Sequence, residues 1–96
     1  MRTKRPDSNY EIEALTKGLV VLEALEGTAF EPVPVKRIIQ RTQLPRDTVE
    51  RSLKTFRLRG YAKQNERGEW VIGERILRLS GRYADVCLQA ISKEER

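Results

Sequence analysis

The stretch TQLPRDTVERSLKTFRLRGY, residues 42–61, decides how this chain is read. TQLP makes a tight connection, and Pro45 suits the first position of a new helix, where its missing N–H has no partner to lose. Asp47 follows in the first turn, where a carboxylate favours the positive end of the helix dipole. At about 100° per residue, Val49, Ser52, Leu53 and Phe56 fall on one side, with Asp47, Glu50, Arg51 and Lys54 opposite. Gly60 ends the run as a left-handed cap. The spacing predicts a third helix over about 45–59, apolar on one side and charged on the other.

Working upstream, Val35, Ile38, Ile39 and Thr42 give the inner face of a short helix of about two turns, with Lys36, Arg37, Gln40 and Arg41 pointing away. Pro32 and Pro34 forbid a helix interior, so GTAFEPVPV (27–35) reads as an extended connection. Before it, Ile12, Leu15, Leu19, Leu22 and Leu25 recur at steps of three and four, a first amphipathic helix that ends near Glu26 with Gly27 as its stop signal. Gly18 inside that helix costs roughly 1 kcal/mol against Ala, which implies a close neighbour or a late helix start.

Downstream, Tyr61–Asn65 and Glu69–Ile72 are short β-prone runs around Glu66-Arg67-Gly68, a hairpin with Gly at the strained position. Trp70 and Tyr61 read as packing residues rather than stacking platforms for single strands. From Glu74 to Arg96, Ile76, Leu79, Tyr83, Val86 and Ala90 form a coiled-coil-like seam, flanked by Leu77, Ala84, Leu88 and Ile91. That is too much apolar surface to leave in water unless the helix folds back, so residues 74–96 read as a dimerisation segment. Leu58, on the exposed side of the third helix, fits a partner contact too, and Cys87 reads as a small buried apolar residue.

The 96 residues carry 19 Lys+Arg, 14 Asp+Glu and no His, a net charge of +5, with 39% hydrophobic and 34% charged residues. One small domain fits, since a chain this short hides only about 60–65% of its unfolded surface. Without histidine, and with Cys87 alone, no Cys/His zinc site, Ser-His-Asp triad or intrachain disulfide can be drawn. No cofactor, metal site or catalytic residue is therefore expected, and the chain is not read as an enzyme. No aliphatic run approaches a membrane span of ~20 residues. A soluble protein of a reducing, cytoplasmic compartment is the expectation. Residues 1–9, with Arg2, Lys4, Arg5 and Pro6, read as a flexible basic arm, either a solvated tail or an arm reaching a minor groove.

The positive charge is concentrated: Lys36, Arg37, Arg41, Arg46, Arg51, Lys54, Arg57 and Arg59 stand against only Asp47 and Glu50 between residues 36 and 59. Helix, short helix, tight turn, longer basic helix and hairpin is the order of a winged helix-turn-helix: mainly α, a three-helix core plus a β-wing over residues 10–73, then a C-terminal helix. B-DNA's major groove, about 12 Å wide, admits one such helix, and its exposed side chains must donate to phosphates and base edges. Arg46, Arg51 and Lys54 have that chemistry. Lys36 would hold backbone, and the hairpin offers Lys63 and a tip residue, Arg67, which reads equally as a backbone contact or a solubility choice.

ALTKGLVVLEAL, TQLPRDTVERSLKTFRLRGY and GEWVIGERILRLS, in this order and spacing, resemble the first helix, turn plus recognition helix, and second wing strand of the isocitrate-lyase-regulator (IclR) family's N-terminal DNA-binding domain, over about residues 14–80. The resemblance implies that Arg46, Asp47, Thr48, Glu50 and Arg51 face an operator. Asp47 and Glu50 depart from the family's hydroxyl and variable polar positions, and would accept from cytosine N4 or orient an arginine. Gln43 stands where the family usually has Gly, Ser52 replaces a core leucine, and Pro34 replaces a capping hydroxyl. No small-molecule effector domain is visible.

The expected partner is double-stranded DNA, bound by a homodimer acting as a bacterial or phage transcription regulator. A winged-helix adaptor holding a protein in a DNA-processing or mobile-element complex is the alternative. The MRTKRP start and SKEER end point to a complete stand-alone protein, a piece of a longer one being the other reading.

Overall fold

The computed structural model describes residues 10–94: α1 (Glu13–Glu23), α2 (Val35–Thr42), α3 (Arg46–Arg59), β1 (Ala62–Gln64), β2 (Trp70–Ile72) and α4 (Arg75–Glu94). The arm, 1–9, lies outside them, as do the side chains of Ala84, Leu88 and Ile91. The chain is mainly α with one antiparallel hairpin, the winged-helix architecture.

The core forms where the apolar sides of three helices and the hairpin converge. Val49 and Leu53 of α3, Ile38 of α2 and Val21 of α1 are fully buried, with Leu25, Val33, Ala62 and Trp70 closing the cluster. Val35, Ile39, Leu44, Phe56 and Ile72 pack around it. In the hairpin Ala62 pairs with Ile72, Lys63 with Val71 and Gln64 with Trp70, so period-two alternation puts Ala62 and Trp70 inward and Lys63 outward. Tyr61 and Phe56 meet edge to face at 6.5 Å.

The first helix departs from its expected shape. It stops at Glu23 rather than near Glu26, and a series of turns runs on to Phe30. The expected stripe faces the core only at its C-terminal end: Ile12, Leu15 and Leu19 are 65%, 58% and 46% exposed, while Leu25 is buried with Val21 and Leu22 packs against the cluster. Gly18 faces the Phe56 ring, which lies 3.6 Å from where a Cβ would stand, an ordinary van der Waals separation. The contact line runs along Gly18, Val21, Leu22 and Leu25, sharing the second half of the expected row and leaving its first half in solvent. Arg41 fastens this end, its Nη1 donating to the Ala24 carbonyl at 2.8 Å.

The connection GTAFEPVPV is likewise only partly extended. Residues 27–30 are turns, and Val33 then bridges Trp70 through two hydrogen bonds, 2.7 and 3.1 Å, adding a third short extended segment beside β2. Thr28, 1% exposed, is the hinge pin: its hydroxyl donates to the Leu25 carbonyl at 2.6 Å and accepts from the Ile72 N–H at 2.7 Å.

Pro45 is the residue flanking α3 rather than its first turn, with extended ψ 148°, and no side chain caps the N-terminus of α2 or α3; at the C-terminus of α2 Gln43 Nε2 donates to the Gln40 carbonyl at 2.8 Å. Gln43 ends α2 in the left-handed region, φ 61°, the one non-glycine there among the described residues. Gly60 ends α3 at φ 89°, as its position predicts. Cys87 is half-exposed rather than buried. The seam of α4 is not one straight line, because Gly81 leaves helical geometry at φ 21°, ψ −112° and divides Ile76 and Leu79 from Tyr83, Val86 and Ala90. Leu79 and Tyr83 are 68% and 74% exposed, so these side chains are not folded back on the core.

Gln43→Gly should raise stability by about 1 kcal/mol, because a side chain in the left-handed region costs about 1–2 kcal/mol and glycine's entropy returns part of that. A thermal melt should show a rise of roughly 4–8 °C. Thr28→Val keeps the shape but strands the Ile72 N–H, so urea unfolding should show a loss of about 1–3 kcal/mol.

Candidate nucleic-acid interface

Burial of Val49 and Leu53 obliges the opposite side of α3 to face solvent, and there the expected residues are found. Asp47, Arg51 and Lys54 are exposed, and Arg46 and Glu50 lie beside them. The two arginines do not stand alone. Arg46 Nη1 donates to Glu50 Oε2 at 3.0 Å, and Arg51 Nη1 lies 3.8 Å from Asp47 Oδ2, both pairs one helical turn apart. Such exposed pairs contribute only about 0.3–0.5 kcal/mol to the helix. Their stronger effect is on charge: the four charged side chains at the start of α3 sum to zero.

Thr48 is placed differently from these neighbours. It is half-buried and lines an open hollow of about 480 Å³ between α1 and α3, together with Ala14, Gly18, Ser52, Phe56 and Arg51. Ala14, Gly18 and Ser52, all with small side chains, line it. Lys36 is exposed in the first turn of α2. Lys63 projects from β1, and Arg67 is exposed at the hairpin tip. Lys36, Lys54, Lys63 and Arg67 have no carboxylate within ion-pair distance among the described residues.

The wing is held to α3 by residues whose role was not apparent from sequence. Arg57 lies over the Trp70 ring at 5.8 Å and donates from Nη1 to Gln64 Oε1 at 2.8 Å. Gln64 in turn donates from Nε2 to the Gly68 carbonyl at 3.0 Å. Asn65 organises the tip: its Oδ1 accepts from the Arg67 and Glu69 N–H groups, both at 2.9 Å. An Asn two residues before a turn's centre is the legible part of this arrangement. The Arg57 contact joins residues from two elements and is not legible. Arg57 and Arg41 thus serve partly to tie the fold together, and not all of the basic segment is available to a ligand.

Among the described residues no group of three or more His, Cys, Asp or Glu could hold a metal ion, and no helix is long and apolar enough to cross a membrane.

Comparison with known proteins adds to this geometry. The model of the IclR helix-turn-helix domain matches residues 14–66. The p-hydroxybenzoate hydroxylase transcriptional activator of Acinetobacter baylyi is 36% identical over 72 residues, 75% of this chain and 26% of that protein. An IclR family transcriptional regulator from Brucella abortus superposes with a TM-score of 0.68 at 32% identity, over 81% of this chain and 29% of that one. A regulator from Alicyclobacillus acidocaldarius, at 19% identity, shares the fold with a TM-score of 0.69, over 80% of this chain and 31% of that one. The chain thus spans about a quarter to a third of the length of these relatives.

Asn65→Ala removes the acceptor shared by the wing-tip amides. Hydrogen exchange should show the Arg67 and Glu69 amides losing protection while those of Val49 and Leu53 keep theirs, at a stability cost of about 1 kcal/mol.

Proposed function

The chain belongs to the IclR helix-turn-helix family, and from that premise we propose that it binds double-stranded DNA and regulates transcription by occupying an operator. The observation that carries the reading is the outward side of α3, where Arg46, Asp47, Glu50, Arg51 and Lys54 lie opposite a sealed core. A helix presented in this way fits the major groove, and the wing beside it supplies Lys63 and Arg67 for the flanking backbone. Arg51 and Arg46 would meet guanine edges and adjacent phosphates, the two carboxylates base-edge donors, and Lys54 and Lys36 the backbone, whereas Thr48, turned to the hollow between α1 and α3, is left out of the contact.

The local pairing of Arg46 with Glu50 and Arg51 with Asp47 makes base edges, rather than phosphate alone, the suitable target. A phosphate approaching these arginines meets a carboxylate as well. A base pair that offers both an acceptor and a donor, such as guanine opposite cytosine, satisfies both members of each pair.

A homodimer fits the same reading. Ile76, Leu79, Tyr83, Val86 and Ala90 on α4, half-buried or exposed in the single chain, form its interface in two segments on either side of Gly81. Two copies would set two recognition helices on successive major-groove turns about 34 Å apart. The function is binding rather than turnover, supported by a chain without histidine and by relatives named as regulators. A cytoplasmic, nucleoid-associated protein of bacterial or phage origin completes the proposal.

Selection of bound duplexes from a random pool, with the mass in solution measured alongside, tests it. The expected result is a palindromic site preferred over random sequence by ~10³ or more, bound by a dimer. Arg51→Ala should then cost about 1–3 kcal/mol on that site. Equal, weak binding to every duplex would instead support the protein-adaptor reading.

A further inference from the structure

We infer that the open hollow between α1 and α3 binds a small organic anion, an apolar body ending in a single carboxylate, and that its occupation draws Arg51 away from the duplex. The second half rests on the duplex-binding reading above and supplies it with a release signal. At about 480 Å³ the hollow has the size of a small-molecule site, in which apolar walls are combined with a few polar groups.

The lining changes character in one direction. Around α3, Phe56, Ser52, Thr48 and Arg51 follow one another at steps of about 40–60°, from the core side to the outward side. Phe56, half-buried and packed against the core, forms the inner wall with Ala14 and Gly18 of α1. A band of hydroxyls follows, and the charged groups stand at the mouth, where the Arg51 side chain is 81% exposed. An anion entering with its apolar end first meets a matching surface at each depth.

The hydroxyl band is open to a ligand. Helical Ser and Thr commonly donate to a carbonyl one turn back, as Thr42 does to Ile38 and Thr55 to Arg51, both at 2.9 Å. Thr48 and Ser52 are half-buried, and neither side chain makes a hydrogen bond among the described residues. Each keeps its donor for a carboxylate oxygen.

Charge selects an acid. Of the ion pairs among the described residues, Arg46–Glu50 is hydrogen-bonded and lies off the hollow. The two pairs whose cations line the hollow are longer: Lys17 Nζ lies 3.7 Å from Glu13 Oε2, and Arg51 Nη1 lies 3.8 Å from Asp47 Oδ2. Exposed pairs contribute little, so either cation can turn to a carboxylate that comes closer, and a guanidinium matches one with two parallel N–H donors. Two cations and the Glu13 carboxylate leave the lining at a net positive charge that one carboxylate neutralises.

Arg51 belongs to the hollow and to the outward side of α3 at once. Its guanidinium cannot hold an acid in the hollow and a guanine edge together, so the two ligands oppose each other. By linkage, the factor by which the acid weakens the duplex is the factor by which the duplex weakens the acid.

Nitrogen-15 NMR of the full chain tests this, with sodium cyclohexanecarboxylate as the probe and neutral cyclohexylmethanol as its control. The acid should move the backbone N–H signals of Gly18, Ser52 and Phe56 and the Arg51 Nε–Hε signal to saturation, while the alcohol leaves them in place. Saturating acid should weaken binding of the selected duplex by about tenfold. Ser52→Leu, which puts a larger side chain in the hollow, should abolish both effects and leave duplex binding intact. Lys17→Gln serves if that variant fails to fold: it should weaken the acid several-fold and leave duplex affinity in the absence of acid unchanged. Equal shifts from acid and alcohol, or none from either, overturn the site. Shifts at the hollow with duplex affinity unchanged overturn the withdrawal of Arg51. Hollow signals that move with protein concentration and not with acid give this face to a second copy and overturn the whole proposal. If no duplex binds before acid is added, the duplex-binding reading fails and takes the release with it, while the shifts at Gly18 and Ser52 still decide the site.

Discussion

Val49 and Leu53 have no exposed surface, and the orientation of the whole basic helix depends on that. Both belong to one buried cluster with residues of α1, α2 and the hairpin, so rotating α3 by a third of a turn would put Glu50 or Lys54 into it. Burying an unpaired charge there costs far more than the few kcal/mol by which small domains are stable. The outward display of Arg46, Asp47, Arg51 and Lys54 is thus a consequence of packing on the other side of the same helix. The devices around the core serve this placement: the left-handed turn at Gln43 sets α2 against α3, and the Val33–Trp70 bridge with Thr28 holds the hairpin to the helices.

Charge on the outward side is arranged in two regimes. At the start of α3 the arginines are balanced by carboxylates on their own helix, which leaves little net attraction for phosphate and favours groups offering donors and acceptors together. Along the wing and at the far end of α3, Lys63, Arg67, Arg59 and Arg75 carry positive charge with no carboxylate at ion-pair distance among the described residues. Long-range attraction to a polyanion would come mainly from the second set, and discrimination among sequences from the first.

Much of the fold was legible in the sequence because it is encoded locally. Alternation over 62–72, the apolar spacing of 49, 53 and 56, and Gly60 as a stop each specify geometry within a few residues. Contacts across the chain were not legible. The apolar row of α1 is the most regular apolar pattern in the N-terminal half, yet only Leu22 and Leu25 of it meet the core, beside Val21, while Ile12, Leu15 and Leu19 stay exposed. Nothing near Thr28 announces that its hydroxyl meets Ile72, 44 positions on. Gly81 lies inside an apolar periodicity that reads as unbroken, and its departure from helical geometry splits the seam. For the candidate site, the outward residues of α3 followed from the wheel, whereas the pairing of those arginines and the tie from Arg57 to the wing required coordinates.

The most direct test of the central claim is to record intermolecular nuclear Overhauser effects between the chain and a selected duplex. Side-chain protons of Arg46 to Lys54 should lie close to cytosine H5 and thymine methyl protons, which line the major groove. Contacts to the duplex made only from α1 or α4, with the α3 side chains silent, would contradict the account.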